Sequence, residues 1–439
     1  MKYVVFGLMA IGGVPLMIAA ASAHAQVRGW LLSLLIAAAS FGKMTSINFI
    51  SFETYRGPDR GFEITLADLI CWSLIVVLVT KHRDRIQWVP YNTWVLAAFF
   101  ALSVVSVFSS ATPLYGAFTL FKMVRLFLIY WCVSNMMLAG AALDRIWYGF
   151  MITAGILTTL ALKQKYLEGL YRIQGPFDHS NSVPLFLNLI IPSLLIWALA
   201  DRRLRPWQVG ATIVAVLGMT FAVVATFSRA GTALTGAGLI LGLMVANTRG
   251  RSLRAMTVSA AVFVLMLGGM VKASDAFLNR IKNAPKASEQ AREEFNTAAD
   301  AMLKDHPGGI GLNNFSDVLT NNTEYRTGIT VMKNEPQAGV CHHIYKLTAA
   351  ELGYAGLGLF LLILARFEWR MLRYAWSGGR LEGLLLAGWA LGCLALHLGG
   401  LLEWAFRVTP VVQEFMVVAG LAAGVSELSR QGRRAPRLI

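Results

Sequence analysis

Apolar runs alternate with short polar links along nearly the whole chain. Runs long enough to cross a bilayer, about 17–25 residues each, begin near Tyr3, Trp30, Phe62, Asn92, Tyr115, Asp144, Ser180, Trp207, Ala230, Arg254, His342, Glu382 and Val408. This pattern predicts an all-α, polytopic transmembrane helical bundle of about twelve spans, because only helices or closed barrels satisfy their backbone groups in lipid. One hydrophilic stretch interrupts it, from Lys272 to Cys341, and closes on His342-His343-Ile344-Tyr345. The chain accordingly divides into an N-terminal transmembrane bundle (1–271), one large helical loop (272–341), and C-terminal transmembrane helices with a tail (342–439). Within the loop, Ala291, Phe295, Ala298 and Met302 recur at helical spacing and predict an amphipathic helix over Ala287–Lys304. His306-Pro307-Gly308-Gly309 ends that helix in a turn, and residues 313–335 read as polar and irregular.

Composition agrees with this reading. Of 439 residues, 56% are hydrophobic and only 14% charged, well below a globular average. The net charge of +15 is not a nucleic-acid signal, because much of it sits in short clusters between apolar runs. These are Lys81, Arg83 and Arg85; Arg202, Arg203 and Arg205; Arg249, Arg251 and Arg254; Arg366, Arg370 and Arg373; and Arg430, Arg433, Arg434 and Arg437. Such clusters mark cytoplasmic links, and their assignments agree by parity. The outer connections are then Ser51–Gly61, Lys163–His179, the turn Ser228-Arg229, the loop Lys272–Cys341, and Gly399–Arg407. Met1-Lys2, an apolar run and Ala23-His24-Ala25 resemble a signal peptide; the reading adopted is an uncleaved chain of twelve spans. Cys71, Cys132 and Cys393 lie in apolar runs as small core residues, Cys341 stands alone near the loop, and no Cys/His spacing suits a metal. Asn321-Asn322-Thr323 matches a glycosylation sequon, read as coincidence.

Arginine on the outer side is the anomaly, since short outer links normally lack it. Arg229 lies between two apolar runs, Arg172 in the link before the seventh run, Arg56 and Arg60 in the first outer link, and Arg407 at the last outer turn. A guanidinium suits phosphate oxygens, so these positions point to an anionic ligand; the competing reading is an arginine snorkelling to the head groups. Lys122 and Arg125 share a helix face and read as a buried structural pair, with Asp68 as a candidate partner. His342, at the outer start of a span, is placed to take a proton from a hydroxyl. His343 and Tyr345 are its neighbours, and on a helix Tyr345 would share a face with His342. His179 and His397 are read as packing or capping residues.

Three motifs carry a family resemblance. Arg172-Ile173-Gln174-Gly175-Pro176-Phe177-Asp178-His179-Ser180-Asn181 is similar to an R-x-x-G-x-F-x-x-x-N stretch before a span. Thr226-Phe227-Ser228-Arg229-Ala230 is similar to a T-x-S-R-[AG] turn. His306-Pro307-Gly308-Gly309-Ile310-Gly311, His342-His343-Ile344-Tyr345 and Ala350-Glu351-Leu352-Gly353 follow in the family's order around the loop. The chain thus resembles the O-antigen ligase and O-antigen polymerase superfamily of bacterial envelope polysaccharide assembly. His343 stands where that family has Asn and Lys346 where it has Leu, so the register at His342 rests on Tyr345 and Glu351-Leu352-Gly353.

The resemblance implies a bacterial inner-membrane glycosyltransferase whose active site, under a periplasmic loop, faces the periplasm. It implies transfer of a glycan from undecaprenyl diphosphate to a hydroxyl of a glycan or lipid A–core acceptor. Arg172 and Arg229 would bind the diphosphate and His342 would act on the acceptor hydroxyl, with His343, Tyr345, Arg56, Arg60 and Arg407 as further candidates. No metal and no cofactor is expected; the expected partners are the lipid-linked glycan, the acceptor and membrane lipids. A transporter or flippase of a lipid-linked oligosaccharide is the rival class. Charge gathered at one face and the large outer loop weigh against it, as does the lack of paired discontinuous helices in matching halves.

Overall fold

The computed structural model describes residues 2–248, 256–257, 260, 286–327, 329–330, 339–377 and 380–437. Helices dominate it. In chain order they are α1 (Tyr3–Ala23), α2 (Ala25–Phe41), α3 (Leu66–Lys81), α4 (Thr93–Phe108), α5 (Pro113–Leu138), α6 (Leu143–Leu162), α7 (Ser182–Ala200), α8 (Pro206–Ala225) and α9 (Arg229–Thr248). After the gap come α10 (Lys286–Asp305), α11 (Phe315–Asn321), α12 (Thr323–Thr327), α13 (Ile344–Ser377), α14 (Arg380–Gly399) and α15 (Thr409–Arg430). Nine helices among the described residues are long and apolar enough to cross a membrane; α2 and α4 are shorter apolar helices, as is the 16-residue α3. The run expected from Arg254, the start of the loop at Lys272 and the cluster Arg249, Arg251 and Arg254 lie outside the described residues. The protein is a polytopic helical membrane protein, as the run pattern predicts. The one departure from an all-α reading is a small antiparallel hairpin in the first outer link, β1 (Ile47–Ser51) with β2 (Gly61–Ile64), in the register Asn48 opposite Glu63.

Local signals place the helix ends. Asp68 closes a capping box on α3 by accepting from the Thr65 amide at 2.7 Å and the Thr65 hydroxyl at 2.8 Å. Proline stands in the first turn of α5, α8 and α15, where its missing N–H costs nothing. Along the bundle, α15 packs on α5, α6 on α2 and α8, and α14 between α7 and α13. Cys71, Cys132 and Cys393 are buried free thiols, as expected of core residues.

Contacts between links sort them onto two ends. At one end the Gln87 amide donates to Asn135 Oδ1 at 2.8 Å, the Leu143 amide donates to the Pro436 carbonyl at 2.9 Å, and Arg437 pairs with Asp144 and Asp201. At the other end the Ile173 amide donates to the Ala225 carbonyl at 3.2 Å and the Ile344 amide to the Gly400 carbonyl at 2.9 Å, while Tyr55 donates to the Asn313 carbonyl. This partition matches the one the arginine clusters predict.

The loop is docked onto that second end by backbone pairing. The Ile310 amide donates to the Ala350 carbonyl at 2.9 Å, Gly311 to Glu351 at 3.0 Å, and Tyr354 to Pro307 at 3.2 Å. The approach is too close for side chains. A Cβ on Gly309 would lie 2.4 Å from the Glu351 carbonyl oxygen, and one on Gly353 would lie 2.3 Å from that of Pro307. Both have positive φ, +92° and +67°, and Gly353 breaks α13. Residues 313–327 depart from the irregular reading: Asn313 is fully buried, its amide donating at 2.8 Å to the carbonyls of Asp59 and Tyr115, and two short helices follow.

Beneath this joint runs a chain of buried ion pairs. Lys122 donates to Asp59 at 2.8 Å and to the Arg407 carbonyl at 2.6 Å, Arg407 pairs with Glu351, and Arg125 holds Asp68 through Nε at 3.0 Å. Burial alone would raise the Asp59 carboxyl, but the charges of Lys122 and Arg407 hold it below its usual range. Each pair is stable only as a pair, since removing one member of a buried ion pair costs about 3–5 kcal/mol. Lys122 and Arg125 are thus structural, as read from the sequence.

Gly309→Ala is expected to lower thermal stability by about 1–3 kcal/mol or more and to expose the loop to protease, read by limited proteolysis of membranes.

Candidate active site

The first two motifs form one unit. Arg172 Nε donates to the Thr226 carbonyl at 2.8 Å, beside the Ile173–Ala225 backbone bond. Thr226 Oγ1 in turn accepts from the Ser228 amide at 3.2 Å, across a turn in which Phe227 has φ +53°. Ser228 Oγ accepts from the Gly231 amide at 3.3 Å and so caps α9, which puts Arg229 in that helix's first turn. The Arg229 guanidinium is exposed and has no hydrogen bond or ion pair among the described residues. The positive end of the α9 dipole adds to its charge, a combination suited to an anion.

From Arg172 a relay of side chains leads to the loop's exit. Arg172 Nη2 donates to Asn181 Oδ1 at 2.9 Å, and Asn181 Nδ2 donates to Glu403 Oε1 at 2.6 Å. The same oxygen accepts from Arg292 of α10 at 2.6 Å. The other oxygen, Oε2, lies 3.2 Å from His342 Nδ1. Burial alone would raise the Glu403 carboxyl, but the His342 hydrogen bond and the Arg292 charge hold it below the ordinary carboxylate range. A carboxylate only accepts, so Nδ1 is the nitrogen that donates in this contact, and Nε2 takes no part in it. A carboxylate paired with an imidazole in this way can orient a general base.

Arg172, Arg229, Arg292, Lys346, His342 and Glu403 all line one cavity of about 700 Å³ between the bundle and α10. Lys346 also reaches Asp300 at 2.5 Å, tying the start of α13 to α10. The structure therefore brings together the three leading candidates read from the sequence. It separates the others. His343 is half-buried and outside that cavity; its Nδ1 accepts from the Lys346 amide at 3.3 Å and so caps the first turn of α13. Burial, with the Lys346 charge nearby, lowers its pKa and suits that neutral capping role. Tyr345 points its hydroxyl to the His397 carbonyl at 2.9 Å rather than to His342, because His342 precedes the helix. Arg56 is exposed and lines neither this cavity nor the next. Arg60 and Arg407 line a second cavity of about 360 Å³. Cys341, its thiol pushed up to about 12 by burial, is 3.0 Å from Asn296 Oδ1 and unsuited to nucleophilic work.

Arg292, Lys346 and Glu403 were not singled out by sequence reasoning, and Asn181 entered only as the last residue of the first motif. Glu403 had a signal, an acid beside an outer-face arginine, Arg407. Arg292 had none, because its helix reads as an ordinary amphipathic one.

These elements define a multi-span helical membrane protein whose outer loop covers a basic cavity. Residues 214–361 match the O-antigen ligase family, a segment that holds the Arg229 turn, the loop and the His342 helix. That segment is thus similar to the O-antigen ligase domain, in agreement with the motif resemblance. A chain of a solved peptidoglycan synthase complex, studied for the coordination of polymerization and crosslinking, aligns with 77% of this chain and 97% of its own length, at 18% identity and a TM-score of 0.40. No curated protein sequence matches.

His342→Ala is expected to lower the transfer rate by about 10²–10⁴-fold, whereas His343→Ala loses a helix cap and costs far less; the opposite order in a transfer assay sinks the assignment. Glu403→Gln is expected to cost about 10²-fold or more by releasing the His342 tautomer, with the protein retained in the membrane on blotting.

Proposed function

We propose that this protein transfers a glycan from undecaprenyl diphosphate to an acceptor hydroxyl at the outer face of the bacterial inner membrane. The O-antigen ligase domain gives a membrane enzyme of the ligase or polymerase type. The observation that carries the finer reading is the single cavity onto which Arg172, Arg229, Arg292 and Lys346 converge beside the His342–Glu403 pair. Cations gathered around one cavity suit a diphosphate, and a carboxylate-held imidazole suits a hydroxyl.

In this mechanism Arg229, backed by α9, and Arg172, held by the Thr226 carbonyl, bind the diphosphate oxygens. His342 Nε2 takes the proton of the acceptor hydroxyl as its oxygen bonds to the anomeric carbon. The bond from that carbon to the diphosphate oxygen breaks, and the electron pair leaves with the lipid diphosphate. Charge developing on the leaving group meets preorganised guanidinium groups, commonly the largest catalytic contribution. Glu403 stabilises the imidazolium that forms. In this scheme arginine charge does the work a divalent cation does in other phosphate-transfer sites.

Arg229→Ala is expected to abolish transfer with the protein still in the membrane; near-normal product on a glycan gel removes its phosphate role. Transfer by the purified protein is expected to persist in excess chelator. Loss that a divalent ion restores would overturn the metal-free scheme.

A further inference from the structure

The second cavity adjoins the first across a wall one residue thick. Asn181 and Glu403 face the first, while the neighbouring residues Ser182 and Trp404 line the second. The Asn181–Glu403 hydrogen bond and the edge-on contact of His179 with Trp404, ring centres 5.9 Å apart, close the wall on its two sides.

The chemistry of the two cavities differs. In the first, Arg229 offers a charge with no partner among the described residues. Four cations line the second, and three of them are neutralised: Lys122 by Asp59, Arg125 by Asp68 and Arg407 by Glu351, while Arg60 donates to the Gly57 carbonyl at 3.4 Å. A phosphate gains little there. The walls also carry Glu63, Arg60 and Gln413 beside an indole, that of Trp404. Arg125 also lines this cavity, and its Nη1 is buried without a hydrogen-bond partner. A buried N–H in that state calls for an oxygen. Paired donors and acceptors beside an aromatic face suit a ligand dense in hydroxyls and without charge.

We propose that this second cavity is the acceptor-glycan site. The terminal sugars of the acceptor lie against Trp404, and the hydroxyl to be glycosylated crosses at Glu403 toward His342. This rests on the transfer reading above, with the diphosphate confined to the first cavity.

The test is binding, separate from turnover. The probes are free oligosaccharides released by mild acid from the cells' own envelope, both core and repeat-unit forms, and undecaprenyl diphosphate. Full-length protein in nanodiscs is titrated by saturation-transfer NMR for the sugars and by quenching of intrinsic fluorescence for the lipid. One oligosaccharide is expected to bind wild type and Arg229→Ala alike, and to lose at least tenfold in affinity in Trp404→Ala and in Thr409→Trp, which adds an indole to the cavity lining. The lipid is expected to show the reverse pattern. Oligosaccharide binding that is absent from wild type, unchanged in both cavity variants, or lost in Arg229→Ala overturns the acceptor site. Lipid binding unchanged in Arg229→Ala overturns instead the diphosphate assignment on which the transfer reading depends.

Discussion

Glu403 is the carboxylate on which the outer end of this protein depends. It accepts from Asn181 in the link before α7, from Arg292 in the loop, and stands against His342 at the head of α13. Three segments distant in sequence meet on two oxygens. An end this rich in arginine repels itself, and a largely buried carboxylate among these cations relieves that repulsion while leaving Arg229 uncompensated. Positive charge is thus spent unevenly, neutralised where the fold needs it and left free where an anion would bind.

A second set of carboxylates holds the scaffold. Asp59, Asp68 and Glu351 each take one buried cation, and with Asn313 they fasten the first outer link, α5, the loop and the last outer turn together. The glycine-rich stretch 306–311 belongs to this scaffold rather than to the chemistry. Gly309 and Gly353 are glycines because two backbones cross in contact, and the loop's position over the basic cavity follows from that crossing.

The bundle was legible in the sequence because a membrane leaves few solutions: apolar runs must be helices and arginine clusters must mark one end. Arg172, Arg229 and His342 were legible as candidates because charge and imidazole at apolar boundaries are costly unless used, and the structure places all three on one cavity. The hairpin at 47–64 was not, since two short strands leave too little alternation to separate from a link. Arg292 and Glu403 were hidden for another reason. Their roles come from which helix the loop lays against the cavity, and that is set by backbone pairing between residues 307–311 and 350–354, which no local pattern announces. The choice between His342 and His343 turned on where α13 begins, a boundary of one residue that periodicity does not fix.

One wall of the basic cavity is α10, which is brought to the site by the crossing at Gly309 and Gly353. The consequence concerns biogenesis. While the chain is being inserted, α13 to α15 are still to be made and α10 has nothing to lie on. His342 and Glu403 are then not yet paired and Arg292 is elsewhere. The basic cavity is thus complete only once α13 and the turn that carries Glu403 have been made.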